Sequence, residues 1–128
     1  MNPSEYLESI KERLLTDPQV DQFEILRQRL TQADGYLRAR LVLRDGTALE
    51  FAEYFQGSTD DSIVTITYSY HWAKEDGQLV QRWDNTPHFP SLPGFPDHVH
   101  LRNENSVIPG KPVNIFLVLD EIAKTLED

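Results

Sequence analysis

The sequence predicts an α+β fold: an antiparallel meander of about five strands with an N-terminal and a C-terminal helix packed on it. Three observations carry this expectation. Both ends place apolar residues at helical spacing, the middle switches to a period of two, and Asp-Gly pairs at 45–46 and 76–77 sit where neighbouring strands must fold back. At 128 residues the chain is expected to form one domain over 1–128, because single cores usually hold about 100–150 residues.

The first helix begins at Asn2-Pro3-Ser4-Glu5. Asn2 serves as the cap, Pro3 suits the first helical position, and Glu5 can reach back to the cap. Leu7, Ile10 and Leu14 then form the apolar stripe, widened by Leu15. Asp17-Pro18 ends it, since proline disfavours a helical residue before it. Phe23 to Leu30 reads as a strand joined through Ala33-Asp34-Gly35 to a second. In that second strand Leu37, Ala39, Leu41 and Leu43 alternate with Arg38, Arg40 and Arg44, the pattern of a half-buried strand. A three-residue Asp45-Gly46-Thr47 loop would set Leu43 against Leu49 and Leu41 against Phe51.

The strongest alternation places Val64, Ile66, Tyr68, Tyr70 and Trp72 on one side, and Thr65, Thr67, Ser69 and His71 on the other. The aromatic side is expected to be core rather than a base-stacking platform, and Trp83 joins it. If Asp76-Gly77 is a two-residue turn, Leu79 to Asp84 returns with His71 facing Arg82, Ser69 facing Asp84 and Tyr70 packed on Trp83. A slip of one residue would reverse the returning strand. Residues 86–112 carry six prolines, so an ordered, non-repetitive segment is expected, and residues 86–100 are expected to fold back over the polar side carrying Ser69, His71 and Arg82. Pro112 can open the closing helix, with Phe116, Leu119, Ala123 and Leu126 on one side.

Composition narrows the function. The absence of cysteine excludes disulfides, thiolate metal sites and cysteine nucleophiles. No apolar run approaches the ~20 residues that span a bilayer, and Met1–Thr16 is acidic and amphipathic, so a soluble cytoplasmic protein is expected. A net charge of −9 argues against a large nucleic-acid groove and leaves room for a local one. The charge is uneven. Residues 20–44 hold five arginines against three acids, while residues 45–70 hold five acids and no base. Such blocks form either a solvated sheet face or an electrostatic contact with RNA or a charged partner. No phosphate-cradling glycine loop is present.

All four histidines fall in one window: His71, His88, His98 and His100. RNA cleavage needs a base for the 2′-hydroxyl proton, an acid for the leaving oxygen and a cation for the phosphorane. Histidine serves either proton role and arginine grips phosphate. His71 and Arg82, near Asp84, with one of His88, His98 or His100, meet that specification. No organic cofactor is expected. The alternative is a divalent metal, with His98 and His100 pointing to the same side of an extended segment and His88 or Asp84 completing the set.

The strings Tyr68-Ser69-Tyr70-His71-Trp72, Arg82-Trp83-Asp84-Asn85, Pro87-His88 and Phe95-Pro96-Asp97-His98-Val99-His100 resemble the TumE family, the toxin half of a prokaryotic toxin–antitoxin module. The likeness is densest over 68–100 and runs more loosely to the final helix. It implies a toxin neutralised by a cognate antitoxin, with a small helix-turn-helix protein as the expected form, and RNA as a candidate substrate. The family pattern often has a second histidine after the position of His88 and another before that of His98. This chain has Phe89 and Asp97 there, leaving His88, His98 and His100 as the carried-over set. Three readings therefore stand: a toxin that cleaves RNA through a His/Arg acid–base site, a divalent-metal enzyme, and a non-catalytic protein-binding module.

Overall fold

A computed structural model describes residues 1–87, 89–102 and 106–127. Helix α1 (Pro3–Thr16) starts as its sequence dictates: the Asn2 side chain accepts from the Glu5 amide, and the Glu5 carboxylate accepts from the Asn2 amide. Strands β1 (Val20–Leu30), β2 (Asp34–Leu43), β3 (Ala48–Gly57), β4 (Ile63–Ala73), β5 (Leu79–Asp84), β6 (His98–Leu101) and β7 (Val107–Pro109) follow, then α2 (Ile115–Glu127). The strands form one antiparallel sheet in chain order. It has seven strands rather than about five. The two extra ones come from the proline-rich segment, where prolines obscure strand character. Pro109 sits in the outermost strand, where its missing N–H breaks no ladder.

One sheet face is apolar and carries both helices. Leu37, Ala39, Leu41, Leu49, Phe51, Phe55, Tyr70, Trp72 and Trp83 pack there against Tyr6, Leu7, Ile10 and Leu14 of α1 and Ile115, Val118, Leu119 and Ile122 of α2. Burying each large side chain contributes roughly 1.5–3 kcal/mol. Leu15 lies outside this stripe, exposed to solvent. The α2 face also differs from the expected one. The helix begins after Asn114, whose side chain accepts from the Leu117 amide, so Ile115 and Ile122 turn inward and Leu126 stays exposed. The β2–β3 and β4–β5 hairpins use three-residue loops closed by a positive-φ glycine, Gly46 and Gly77, a conformation glycine adopts without steric cost.

The β2–β3 loop is Arg44-Asp45-Gly46, one residue earlier than expected. It pairs Leu41 with Leu49 and Ala39 with Phe51, keeping every side chain on its expected face. In β4–β5 the loop is also three residues, but an irregularity beside Ala73 absorbs the extra one. His71 therefore faces Arg82, Ser69 faces Asp84 and Tyr70 faces Trp83, as the alternation requires. A second irregularity, opposite Tyr54 and Phe55, displaces the start of β4. Val64 and Ile66 are consequently exposed rather than core. No helix among the described residues is long and apolar enough to cross a membrane.

Candidate functional site

The other sheet face is polar, and register alone assembles it. Side chains of directly paired residues share a face. One row therefore runs Arg40, Glu50, His71, Arg82, His100 across β2 to β6, and the next runs Arg38, Ala52, Ser69, Asp84, His98. The expected site residues His71, Arg82, Asp84, His98 and His100 all fall on these rows. His88 lies outside the described residues.

Burial divides the rows into two environments. Toward β2 and β3 lies an open cleft of about 360 Å³ with Arg38, Arg40, Glu50, His71, Lys74 and Arg82 in its lining. Arg38 Nη2 holds Glu50 Oε2 at 2.8 Å, and Arg40 Nη1 stands 3.9 Å from Oε1. Glu50 is thus fixed beside His71, its cross-strand partner. Toward β6, Asp84, His98 and His100 are almost fully buried. The Phe89 ring lies edge-on to His98 and His100, at centroid distances of 5.3 and 6.0 Å. Of the proline-rich segment, residues 98–101 extend the sheet as β6 beside β5, and Phe89 packs on the two histidines of that strand.

Arg82 joins the two environments. Its guanidinium lines the cleft, and Nη2 pairs with Asp84 Oδ2 at 2.9 Å. Burial alone would raise the Asp84 pKa. Hydrogen bonds from the Thr86 backbone and hydroxyl, with the Arg82 and His98 charges, outweigh it and hold the carboxyl below its ordinary range. His98 is oriented from behind: Nδ1 lies 2.9 Å from the Pro96 carbonyl oxygen, so it is the protonated nitrogen, and Nε2 faces Asp84 Oδ1 at 3.8 Å. The His98 and His100 rings lie 4.9 Å apart.

Several motif residues are structural. Trp83 is core and donates to Glu121, while the Asn85 amide bridges the Tyr68 N–H and the Ile66 carbonyl where β4 is irregular. Asp97 accepts the Tyr68 hydroxyl. Conversely, Glu50, Arg38, Arg40 and Lys74 belong to the cleft and were not expected there. The alternation of Arg38 and Arg40 along β2 was the visible signal. What tied it to His71 was the register of β3, which no local pattern specifies.

The cleft gathers four cations, two carboxylates (Glu50 and Glu75) and one imidazole in a chain of net charge −9. Such a set has the charge to attract a polyanion and side chains able to exchange protons. The sequence model of the family described as toxin TumE matches residues 10–128. No curated protein and no solved structure gives a match.

Proposed function

The chain belongs to the TumE toxin family, and from that premise we propose that this toxin component of a toxin–antitoxin module is a metal-independent ribonuclease working in the cleft on the polar sheet face. The observation supporting this is the cleft itself: Glu50 and His71 are cross-strand neighbours flanked by Arg38, Arg40 and Arg82.

In this reading Glu50 takes the proton from a ribose 2′-hydroxyl. The 2′-oxygen then bonds to phosphorus while the P–O5′ bond breaks, and protonated His71 delivers a proton to the departing 5′-oxygen. The products are a 2′,3′-cyclic phosphate and a 5′-hydroxyl. Arg82 and Arg40 offset the charge gathering on the phosphorane oxygens, a role suited to the planar guanidinium. Arg38 positions the Glu50 carboxylate. Asp84 in turn positions Arg82, and the buried His98 and His100 stand behind the catalytic groups rather than among them. The cognate antitoxin, with a helix-turn-helix protein as its expected form, neutralises the toxin in the cytoplasm by covering this cationic cleft.

The test uses purified protein and a single-stranded RNA oligonucleotide in the presence of a chelator. Cleavage leaving 2′,3′-cyclic ends is expected. His71→Ala should lower the rate by roughly 10²-fold or more, the scale of lost general acid–base catalysis. Its unfolding midpoint should hardly change, because His71 is only half-buried and substitutions outside the core usually stay within about 0.5 kcal/mol. Cleavage that stops on chelation, or a His71→Ala protein as active as the parent, overturns the reading.

A further inference from the structure

The ribonuclease reading leaves Asp84, His98 and His100 without proton chemistry of their own, and their arrangement suits another task. We propose that these three residues bind one zinc ion beneath the wall of the cleft.

The argument begins with donor chemistry. Two imidazoles and one carboxylate each offer a ligand atom, and the three atoms lie within 4.8 Å of one another. A tetrahedral zinc site with bonds of about 2.1 Å separates its ligand atoms by roughly 3.4 Å. Closing the set therefore takes side-chain movements of about an ångström, within reach of rotations about the two histidine χ angles. Neighbouring strands supply the framework: His98 pairs directly with Asp84, and His100 lies two residues further along β6 on the same face. All three residues are buried, so the backbone positions that aim them are fixed by the sheet ladder rather than by a loop.

The groups around the three donors have the form found around metal-binding histidines and carboxylates. Ligating imidazoles commonly donate their other N–H to a backbone carbonyl, which fixes the tautomer. His98 does this through Nδ1 to Pro96 O, turning Nε2 toward Asp84. The carboxylate is likewise held from outside. Oδ2 is paired with Arg82, and Oδ1 accepts the Thr86 amide at 2.6 Å while keeping a second lone pair toward His98.

Zinc is favoured over the other divalent cations on two grounds. Magnesium and calcium require oxygen-rich sets and several retained waters, whereas two of these three donors are nitrogen. Oxygen-activating iron sites use a similar triad but keep open positions for substrate. Here the Phe89 ring packs edge-on against both imidazoles, which suits three protein ligands and a single water on a four-coordinate zinc better than a site with several open positions. Bound there, the cation would fasten β5 to β6.

The test is titration of the purified full chain, after chelator treatment and dialysis, with Zn²⁺ alone and with Mg²⁺ alone. One equivalent of Zn²⁺ should bind, with the unfolding midpoint rising by roughly 5–10 °C at a hundredfold excess over Kd. Mg²⁺ at the same concentrations should do neither. Co²⁺ should give the intense visible absorption of a four-coordinate site. His98→Gln and His100→Gln should each weaken zinc binding at least about tenfold, and His71→Ala should bind zinc fully while losing RNA cleavage. The last variant separates this proposal from the ribonuclease reading, since either can fail alone. A parent protein that takes up no zinc at millimolar concentration overturns the proposal even if the glutamine variants fail to fold. So does uptake unchanged in both glutamine variants.

Discussion

Glu53 and Asp84 are both buried carboxylates, 0% and 1% exposed, on opposite faces of the same sheet. Glu53 sits on the helix-covered face. Its oxygens accept the Tyr6 hydroxyl at 2.6 Å, the Tyr70 hydroxyl at 2.8 Å and the Ile115 amide at 2.8 Å. All three donors are neutral, and burial pushes the Glu53 pKa up despite them. Asp84 on the polar face has a guanidinium and an imidazole beside it, and its pKa moves down. Equal burial therefore gives opposite titration, and the partners decide the sign. Glu53 ties α1, β3, β4 and the start of α2 together. Asp84 has to be an anion, because orienting Arg82 requires the charge. One carboxylate serves the fold and the other serves the site.

The largest expected effect breaks the Glu53 side of this contrast. Glu53→Ala strands two phenolic hydroxyls and a helix-terminal N–H in the core, each costing about 1–3 kcal/mol when unsatisfied. A total loss of at least about 3 kcal/mol is expected in urea-induced unfolding. Any loss of RNA cleavage should follow the unfolded fraction alone. A variant within about 1 kcal/mol of the parent would show that Glu53 does not fasten the helices.

The contrast sharpens with pH. A carboxyl whose folded pKa is raised stabilises the fold fully below its unfolded pKa. That stability is lost as pH rises through the folded value. Glu53 therefore makes the fold less stable as pH climbs above the ordinary glutamate value of 4.5. Asp84 does the reverse. Its stabilisation is present above the ordinary aspartate value of 3.8 and fades as pH falls through its lowered one. Urea midpoints measured from about pH 3 to about pH 8 should show both limbs. Glu53→Gln should flatten the decline on the alkaline side and keep the acid one, and Asp84→Asn should do the opposite. The same flattening in both variants would mean that the two groups are not independently titrating.

The two faces also differed in how readily the sequence disclosed them. The helix-covered face was legible because apolar periodicity reports burial directly: Leu37 to Leu43 and Tyr68 to Trp72 lie where alternation put them. The pairing of His71 with Arg82 was legible as well, although the assumed turn was one residue too short, because the irregularity beside Ala73 restored the register. The irregularity opposite Tyr54 had no local signature, so Val64 and Ile66 were misplaced. The polar face resisted for a different reason. Nothing in the spacing of Glu50 and His71 says that they are neighbours. Likewise, nothing in Phe89 says that its ring will pack against His98 and His100. Such neighbours depend on long-range pairing and on a segment with little periodicity.

The smallest effect tests how the cleft is charged. Arg38 and Glu50 form an ion pair at 2.8 Å, with side chains 45% and 34% exposed. Exposed pairs of this kind contribute about 0–1 kcal/mol, since water and salt screen them and two long side chains must be held still. Arg38→Ala should therefore lower the unfolding free energy in urea titration by no more than about 0.5 kcal/mol, far less than the loss of Glu53. Its effect should appear in binding instead. Removing one cation that neutralises a phosphate of single-stranded RNA lowers the slope of log affinity against log salt by about 0.7. If Arg38 meets phosphate as well as Glu50, RNA affinity should fall at low salt and converge with that of the parent at high salt. If Arg38 only positions Glu50, the salt slope should be unchanged and the loss should appear in kcat. Salt-dependent RNA binding by fluorescence anisotropy, with single-turnover cleavage, separates these outcomes. An Arg38→Ala protein altered in neither would place the working edge of the cleft at His71 and Arg82, leaving β2 as its inert wall.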